Sequence, residues 1–237
     1  PDDTTYQYLW GREFSPKGNL WDQALSYWRT LPSDADAVFD REDTLDLTDI
    51  GPQITWGIAS DHVMDISGRV PNPADAPPGQ RELYEEAIAY TGLRPGEPIV
   101  GTPIDEPFIG ACGQSRIEHL RAAARVVDGR RVAPNIKAAW VLPGSRAVKA
   151  QAEAEGLDRI FRQAGFEWRE PACSKCIGGD EEYVRPGDRV LTNSPRNFVG
   201  RMGADSIAHV ASSPTVAAGA IAGRIVDVRR LMAGEIV

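Results

Sequence analysis

Cys112, Cys173 and Cys176 are the only cysteines in this chain of 237 residues. The last two form a Cys-x-x-Cys, Cys173-Ser174-Lys175-Cys176, and the first lies far upstream in Ile109-Gly110-Ala111-Cys112-Gly113-Gln114-Ser115-Arg116. Both segments are glycine-flanked, which suits turns better than core packing. Three thiolates can hold three corners of an iron–sulfur cube and leave the fourth metal free for a substrate. That open corner would act as a Lewis acid. Two other readings of the same residues stay open. A structural zinc needs four ligands and would have to recruit His62, His119 or His209. The third reading is three unrelated buried thiols.

Asn193-Ser194-Pro195-Arg196-Asn197-Phe198-Val199-Gly200-Arg201 places two arginines around a glycine, close downstream of the Cys-x-x-Cys. Guanidinium groups grip carboxylates through a bidentate fork, so Arg196 and Arg201 are candidates for an anionic ligand. The plain alternative is a pair of surface arginines. Ser115 and Arg116 sit beside Cys112 at a predicted helix start, where backbone amides favour anions. Ser115 would serve equally as a simple cap. Lys175, between two candidate ligands, either tunes the charge of a bound group or faces water. The acidic stretches 34–49 and 180–182 read as solvated surface.

These residues need elements to position them. From residue 99 onward the pattern alternates strand and helix. Strands are expected at 104–110, 137–142, 167–170, 189–192 and 207–211. A helix is expected at 116–127, with Ile117, Leu120, Ala124 and Val127 on one face. Two more helical stretches, broken near Gly156, run to Ala164. Ser213 as N-cap with Pro214 at the first helical position starts an alanine-rich helix. This alternation predicts a three-layer α/β architecture. Cys112 then falls between the carboxyl end of a strand and a helix, where ligands of α/β sheets bind.

The first hundred residues are less regular. Asn19 is the expected cap of a short helix through Trp28, and 37–39 and 44–47 read as strand fragments. Four prolines within 71–79 mark a linker. A helix over about 80–90, closed by Gly92, follows it. The expected organisation is a partial α/β domain at 1–98 and a cysteine-bearing α/β domain at 99–237.

Composition narrows the function classes. A formal net charge of −8 argues against nucleic acid or an anionic membrane as partner. No apolar run is long enough to span a bilayer. An odd number of cysteines and no recognisable signal peptide point to a reducing compartment, with the cytoplasm as the default. The sequence opens on Pro1 without a methionine and reads as the middle of something larger.

Several runs are more specific than composition. They include Gly11-Arg12-Glu13-Phe14-Ser15-Pro16-Lys17-Gly18, Pro52-Gln53-Ile54-Thr55-Trp56-Gly57 and Val141-Leu142-Pro143-Gly144-Ser145. With Ala164-Gly165-Phe166-Glu167-Trp168-Arg169, both cysteine segments and the Arg196–Arg201 run, they resemble the aconitase superfamily. Within it they resemble the 3-isopropylmalate dehydratase large subunits. The resemblance covers essentially the whole chain, in order.

It implies aconitase-like α/β/α domains and a [4Fe–4S] cluster held by Cys112, Cys173 and Cys176. Arg196 and Arg201 are implied as anchors for substrate carboxylates. The implied reaction is dehydration of a hydroxy di- or tricarboxylic acid and rehydration at the neighbouring carbon. The implied partners are a front-half large-subunit chain and a small swivelling subunit, so no catalytic acid or base is assigned to this chain. Three positions depart from the family pattern: Gly113-Gln114 after the first cysteine, Pro195 before Arg196, and Ile177-Gly178-Gly179-Asp180 after the last cysteine. Pro195 cannot donate from its backbone. These departures motivate a rival reading, a non-catalytic scaffold or regulatory subunit that keeps the fold.

Overall fold

The computed structural model describes residues 1–59 and 61–235, and the chain divides into two compact units, Pro1–Leu47 and Thr48–Val237. The first unit holds helices α1 (Asp3–Leu9) and α2 (Asn19–Trp28). Asp2 caps α1 by accepting from the Thr5 amide at 2.8 Å. Tyr6 and Trp21 are its buried side chains, with Trp10 and Trp28 set edge-on to Trp21 at 4.9 and 5.6 Å. Asn19 is the first helical residue rather than the cap. Gly18, at φ 55°, makes the turn into the helix. The segments 37–39 and 44–47 are irregular, and Val38 and Leu45 lie exposed. Their apolar residues have no partner strand in this unit.

The second unit opens with an antiparallel pair, β1 (Gln53–Thr55) and β2 (Val63–Asp65), in register Ile54 to Met64. The proline-rich stretch contains one short 3-10 turn, Pro73–Asp75. Helix α3 (Arg81–Thr91) ends where Gly92 adopts φ 62°, a left-handed stop that suits glycine.

The alternating region follows as β3 (Glu106–Ile109), α4 (Ile117–Val127), β4 (Trp140–Val141), α5 (Arg146–Ala154), α6 (Leu157–Ala164) and β5 (Glu167–Trp168). It ends with β6 (Arg189–Thr192), β7 (Ile207–Val210), α7 (Ser213–Ala222) and α8 (Val228–Met232). The strands form a five-stranded sheet in the order β5-β4-β3-β6-β7, all parallel. The expected α/β alternation is therefore present. Ser212, not Ser213, caps α7, accepting from the Thr215 amide. Ser213 lies one position inside the helix, where its hydroxyl meets Asn193.

Side chains alternate across the sheet, so each strand contributes to two cores. Ile109, Val141, Trp168 and Leu191 join the buried faces of α4, α6 and α7 in the larger core. Phe108, Val190 and Ala208 face the other way and pack with Ala111, Leu142, Cys176, Val184 and Met202. That second layer is built mainly from turns rather than helices, and it carries the Cys-x-x-Cys. β3 is the central strand, and the chain moves outward from it first through β4 and β5, then on the other side through β6 and β7. The strand order reverses at β3 and β6, and loops leaving such a point form a crevice.

Candidate functional site

The loop leaving β3 carries Cys112. Its first amide, Gly110 N, donates to Asn193 Oδ1 at 2.9 Å. Ala111 follows with φ 78°. A non-glycine residue in that left-handed region costs about 1–2 kcal/mol and persists only where surrounding bonds fix it. Asn193 Nδ2 supplies such a bond, donating to the Gln114 carbonyl at 2.6 Å. The loop after β4 closes from the other side, with Gly144 N donating to the Ser115 carbonyl at 2.9 Å. A Cβ at Gly144 would stand 2.8 Å from the Cys112 carbonyl oxygen and 3.0 Å from that of Ser115, so only glycine permits this approach. Cys112 itself is exposed.

The loop leaving β5 carries the other two cysteines. Cys176 N donates to the Cys173 carbonyl at 3.0 Å, closing a 3-10 turn over Ser174–Cys176. Cys173 is exposed and Cys176 buried, and all three thiols are free. Lys175 turns inward instead of facing water. Its ammonium pairs with the buried Glu106 carboxylate on β3 and lies 3.7 Å from the centre of the Trp140 ring. Glu106, Trp140 and Lys175 therefore share the face of the sheet that holds Cys176. A buried charge needs such a partner, and the pair ties the cysteine turn to the central strand.

The loop leaving β6 reaches both cysteine segments. Ser194 Oγ is 2.9 Å from Cys176 Sγ, and Arg201 Nη2 donates to the same sulfur at 3.3 Å. Arg201 also stands 5.5 Å from the Phe198 ring. Asn197 fixes the loop by donating to the carbonyls of Gly57 and Ala208, each at 2.8 Å. Arg196 is exposed and lines a cavity of about 540 Å³ with Thr55, Ile58, Val63, Phe198 and Val210. A larger cavity, about 600 Å³, lies at the amino ends of β3, β6 and β7, bounded by Asp105, Arg189 and Ile207. That is the opposite edge of the sheet from the cysteine loops.

The remaining candidates separate. Ser115 is buried, and its hydroxyl has no hydrogen-bond partner among the described residues. It does not cap α4, whose N-cap residue is Arg116. Arg116 is exposed and pairs with Glu118 at 3.4 Å. His62 stacks on Trp56 with ring centres 4.2 Å apart. His209 is enclosed between the Thr55 carbonyl, 2.9 Å from Nδ1, and the Arg189 guanidinium at Nε2. Nδ1 must therefore carry the proton, and burial, with the Arg189 charge, lowers the His209 pKa to about 3.

Among the described residues, no three His, Cys, Asp or Glu side chains gather as they would around a single ion. The cysteines instead come from two loops, Cys112 from the one leaving β3 and the Cys173–Cys176 turn from the one leaving β5, an arrangement in which each thiolate could meet a different metal of a larger group. Among the buried polar atoms without partners among the described residues are Ser115 Oγ, three residues after Cys112, and Arg201 Nε, on the side chain that meets Cys176. Both can donate to an acceptor-rich group such as sulfide or carboxylate. Soft donors, glycine-opened loops and orphaned donors together fit an iron–sulfur cluster. Sequence reasoning passed over Asn193, Ser194 and Glu106. The first two stood in view, leaving a buried strand directly ahead of Arg196, whereas Glu106 is joined to Lys175 only through the fold.

Two comparisons bear on this arrangement. The sequence model of the aconitase family (aconitate hydratase) matches residues 1–223. A protein of Bradyrhizobium diazoefficiens described as 3-isopropylmalate dehydratase large subunit 1 is 53% identical over 232 residues. That match takes in 98% of this chain and 48% of the relative, so the chain spans about half the length of the curated protein it matches. The family match runs from the first residue through α7, past every cysteine and arginine described above. The chain belongs to the aconitase family.

Proposed function

We propose that this chain is the cluster-bearing part of a hydro-lyase of the 3-isopropylmalate dehydratase type, acting on a hydroxy di- or tricarboxylic acid in the cytoplasm. The observation that carries the reading is the meeting at Cys176 Sγ of a hydroxyl from Ser194 and a guanidinium from Arg201. A cysteine and a carboxylate-binding group then serve one place. Cys112, Cys173 and Cys176 would hold a [4Fe–4S] cluster. When bound, that group supplies Lewis acidity toward a substrate hydroxyl.

The chain's own residues provide binding and orientation. Arg201 Nε, on the same guanidinium edge as the thiol-bound Nη2, has no partner among the described residues, so it can donate to an acceptor held beside Cys176. Arg196, at the rim of the 540 Å³ cavity, offers a second guanidinium beside the largely apolar walls of Ile58, Val63, Phe198 and Val210. Ser115 lends a buried hydroxyl next to Cys112. Arg116 would have to exchange Glu118 for substrate to take part.

The proton-transferring groups would come from a front-half chain and a small swivelling subunit. The relative's description as a large subunit supports a companion polypeptide. Phe14, Val38 and Leu45 are almost wholly exposed apolar side chains, the kind of surface another polypeptide covers.

The test is anaerobic purification with whatever polypeptides accompany the chain. Analysis should find about four iron and four sulfide per chain, with an electron paramagnetic resonance signal after mild oxidation. Cys112→Ser, Cys173→Ser and Cys176→Ser should each abolish that signal and hydro-lyase turnover. A Cys112→Ser complex with full turnover would favour the scaffold reading instead.

A further inference from the structure

Asn193 and Ser194 leave the carboxyl end of β6 side by side, and both are buried. Each touches a different cysteine segment. The Asn193 side chain uses its acceptor on Gly110 N and its donors on the Gln114 carbonyl and on Ser213 Oγ. Its first two bonds bracket the Cys112 loop, including Ala111 in its left-handed conformation. Ser194 Oγ stands 2.9 Å from Cys176 Sγ, and Ser194 N donates to Thr192 Oγ1 at 3.1 Å, which fixes the residue at the strand end.

We propose that the Asn193-Ser194 pair is a clasp that positions the Cys112 loop and Cys176 relative to one another. The pair rests on the iron–sulfur reading, because only a group shared by both segments makes their mutual register matter. The two residues are joined by one planar peptide, with Cα atoms about 3.8 Å apart. A displacement of either segment is therefore felt by the other through a rigid link. The amide of asparagine suits the first position because it offers acceptor and donors at once. Aspartate keeps the acceptor and loses the donors. Alanine loses both and leaves Gly110 N–H and the Gln114 carbonyl without that partner. Serine suits the second position because its hydroxyl either donates to a thiolate or accepts from a thiol.

The experiment compares wild type, Asn193→Ala, Asn193→Asp and Ser194→Ala, each as the full chain with its co-purifying polypeptides under anaerobic conditions. Iron content and the paramagnetic signal of the oxidised cluster are read on the loaded protein. Amide hydrogen exchange of residues 110–115 is read on the cluster-free protein, with thermal midpoints alongside. Both Asn193 variants should speed exchange in that segment about fivefold or more, the equivalent of losing one hydrogen bond. They should also lower cluster occupancy and broaden its signal. Ser194→Ala should alter the signal while leaving exchange at 110–115 near wild type.

Wild-type exchange in Asn193→Ala overturns the clasp, as does faster exchange with an unchanged cluster signal and iron content. Should the alanine variant fail to fold, Asn193→Asp decides by the same two readings. A wild type that binds no iron under any loading condition overturns the iron–sulfur reading and, with it, the cluster role of the clasp. The exchange arm would then show separately whether Asn193 orders the loop.

Discussion

At the scale of single residues, the buried polar groups show how the sheet manages charge. His209 is fully buried and neutral, with Nδ1–H directed to the Thr55 carbonyl and Nε2 accepting from Arg189. The imidazole therefore binds the β1 segment to β7 without adding charge. Its folded pKa is about 3, against an ordinary value near 6.5. As pH falls below 6.5 the unfolded chain takes up a proton that folded His209 refuses, so the unfolded state gains. This contribution to stability is whole above pH 6.5 and is lost progressively toward pH 3, by at most about 1.4 kcal/mol per pH unit. Urea unfolding between pH 7.5 and pH 5 should show that slope in wild type. His209→Gln should flatten it, at the cost of lower stability at neutral pH. An identical slope in both proteins would place the titrating group elsewhere.

At the scale of elements, the site depends on how closely the loops leaving β3, β4, β5 and β6 approach at the carboxyl edge of the sheet. At Gly144 the loops after β3 and β4 meet, with backbone oxygens of Cys112 and Ser115 where a Cβ would sit. Gly144→Ala should force one loop away. The expected cost is about 1–3 kcal/mol in denaturant midpoint, with weaker retention of iron. Unchanged stability and iron content would mean that the loops tolerate the displacement.

Much of this edge was legible in the sequence. Buried strands such as 189–192 announce themselves as short apolar runs, and Gly92 and Gly156 stop or break helices by adopting left-handed backbone. The end-of-strand placement of Cys112 follows from the same pattern. What pattern could not give depends on register. Lys175 finds Glu106 because β3 presents that residue on the cysteine face. Asn193 finds Gly110 because β6 lies beside β3 in parallel. Capping was misplaced by one residue at both Asn19 and Ser213. In the first case Gly18 already makes the turn, and in the second the Ser213 hydroxyl is drawn to Asn193. The apolar residues at 37–39 and 44–47 resemble strands only in composition, since a strand also needs a neighbour to pair with.

At the scale of the whole molecule, the chain is about half the length of its curated relative, and no helix among the described residues is long and apolar enough to cross a membrane. The aconitase-family fold gathers the cysteine loops on one edge of a parallel sheet, with the arginine loop beside them. The central claim is that one inorganic group joins Cys112, Cys173 and Cys176. Its most direct test is a crystal structure of the anaerobically loaded protein, with anomalous scattering recorded on both sides of the iron absorption edge. The account predicts iron-specific density bounded by the three Sγ atoms, with Cys112, Cys173 and Cys176 each supplying a ligand. Density bound by fewer than three of these sulfurs, or a metal of a different edge at that place, would contradict it.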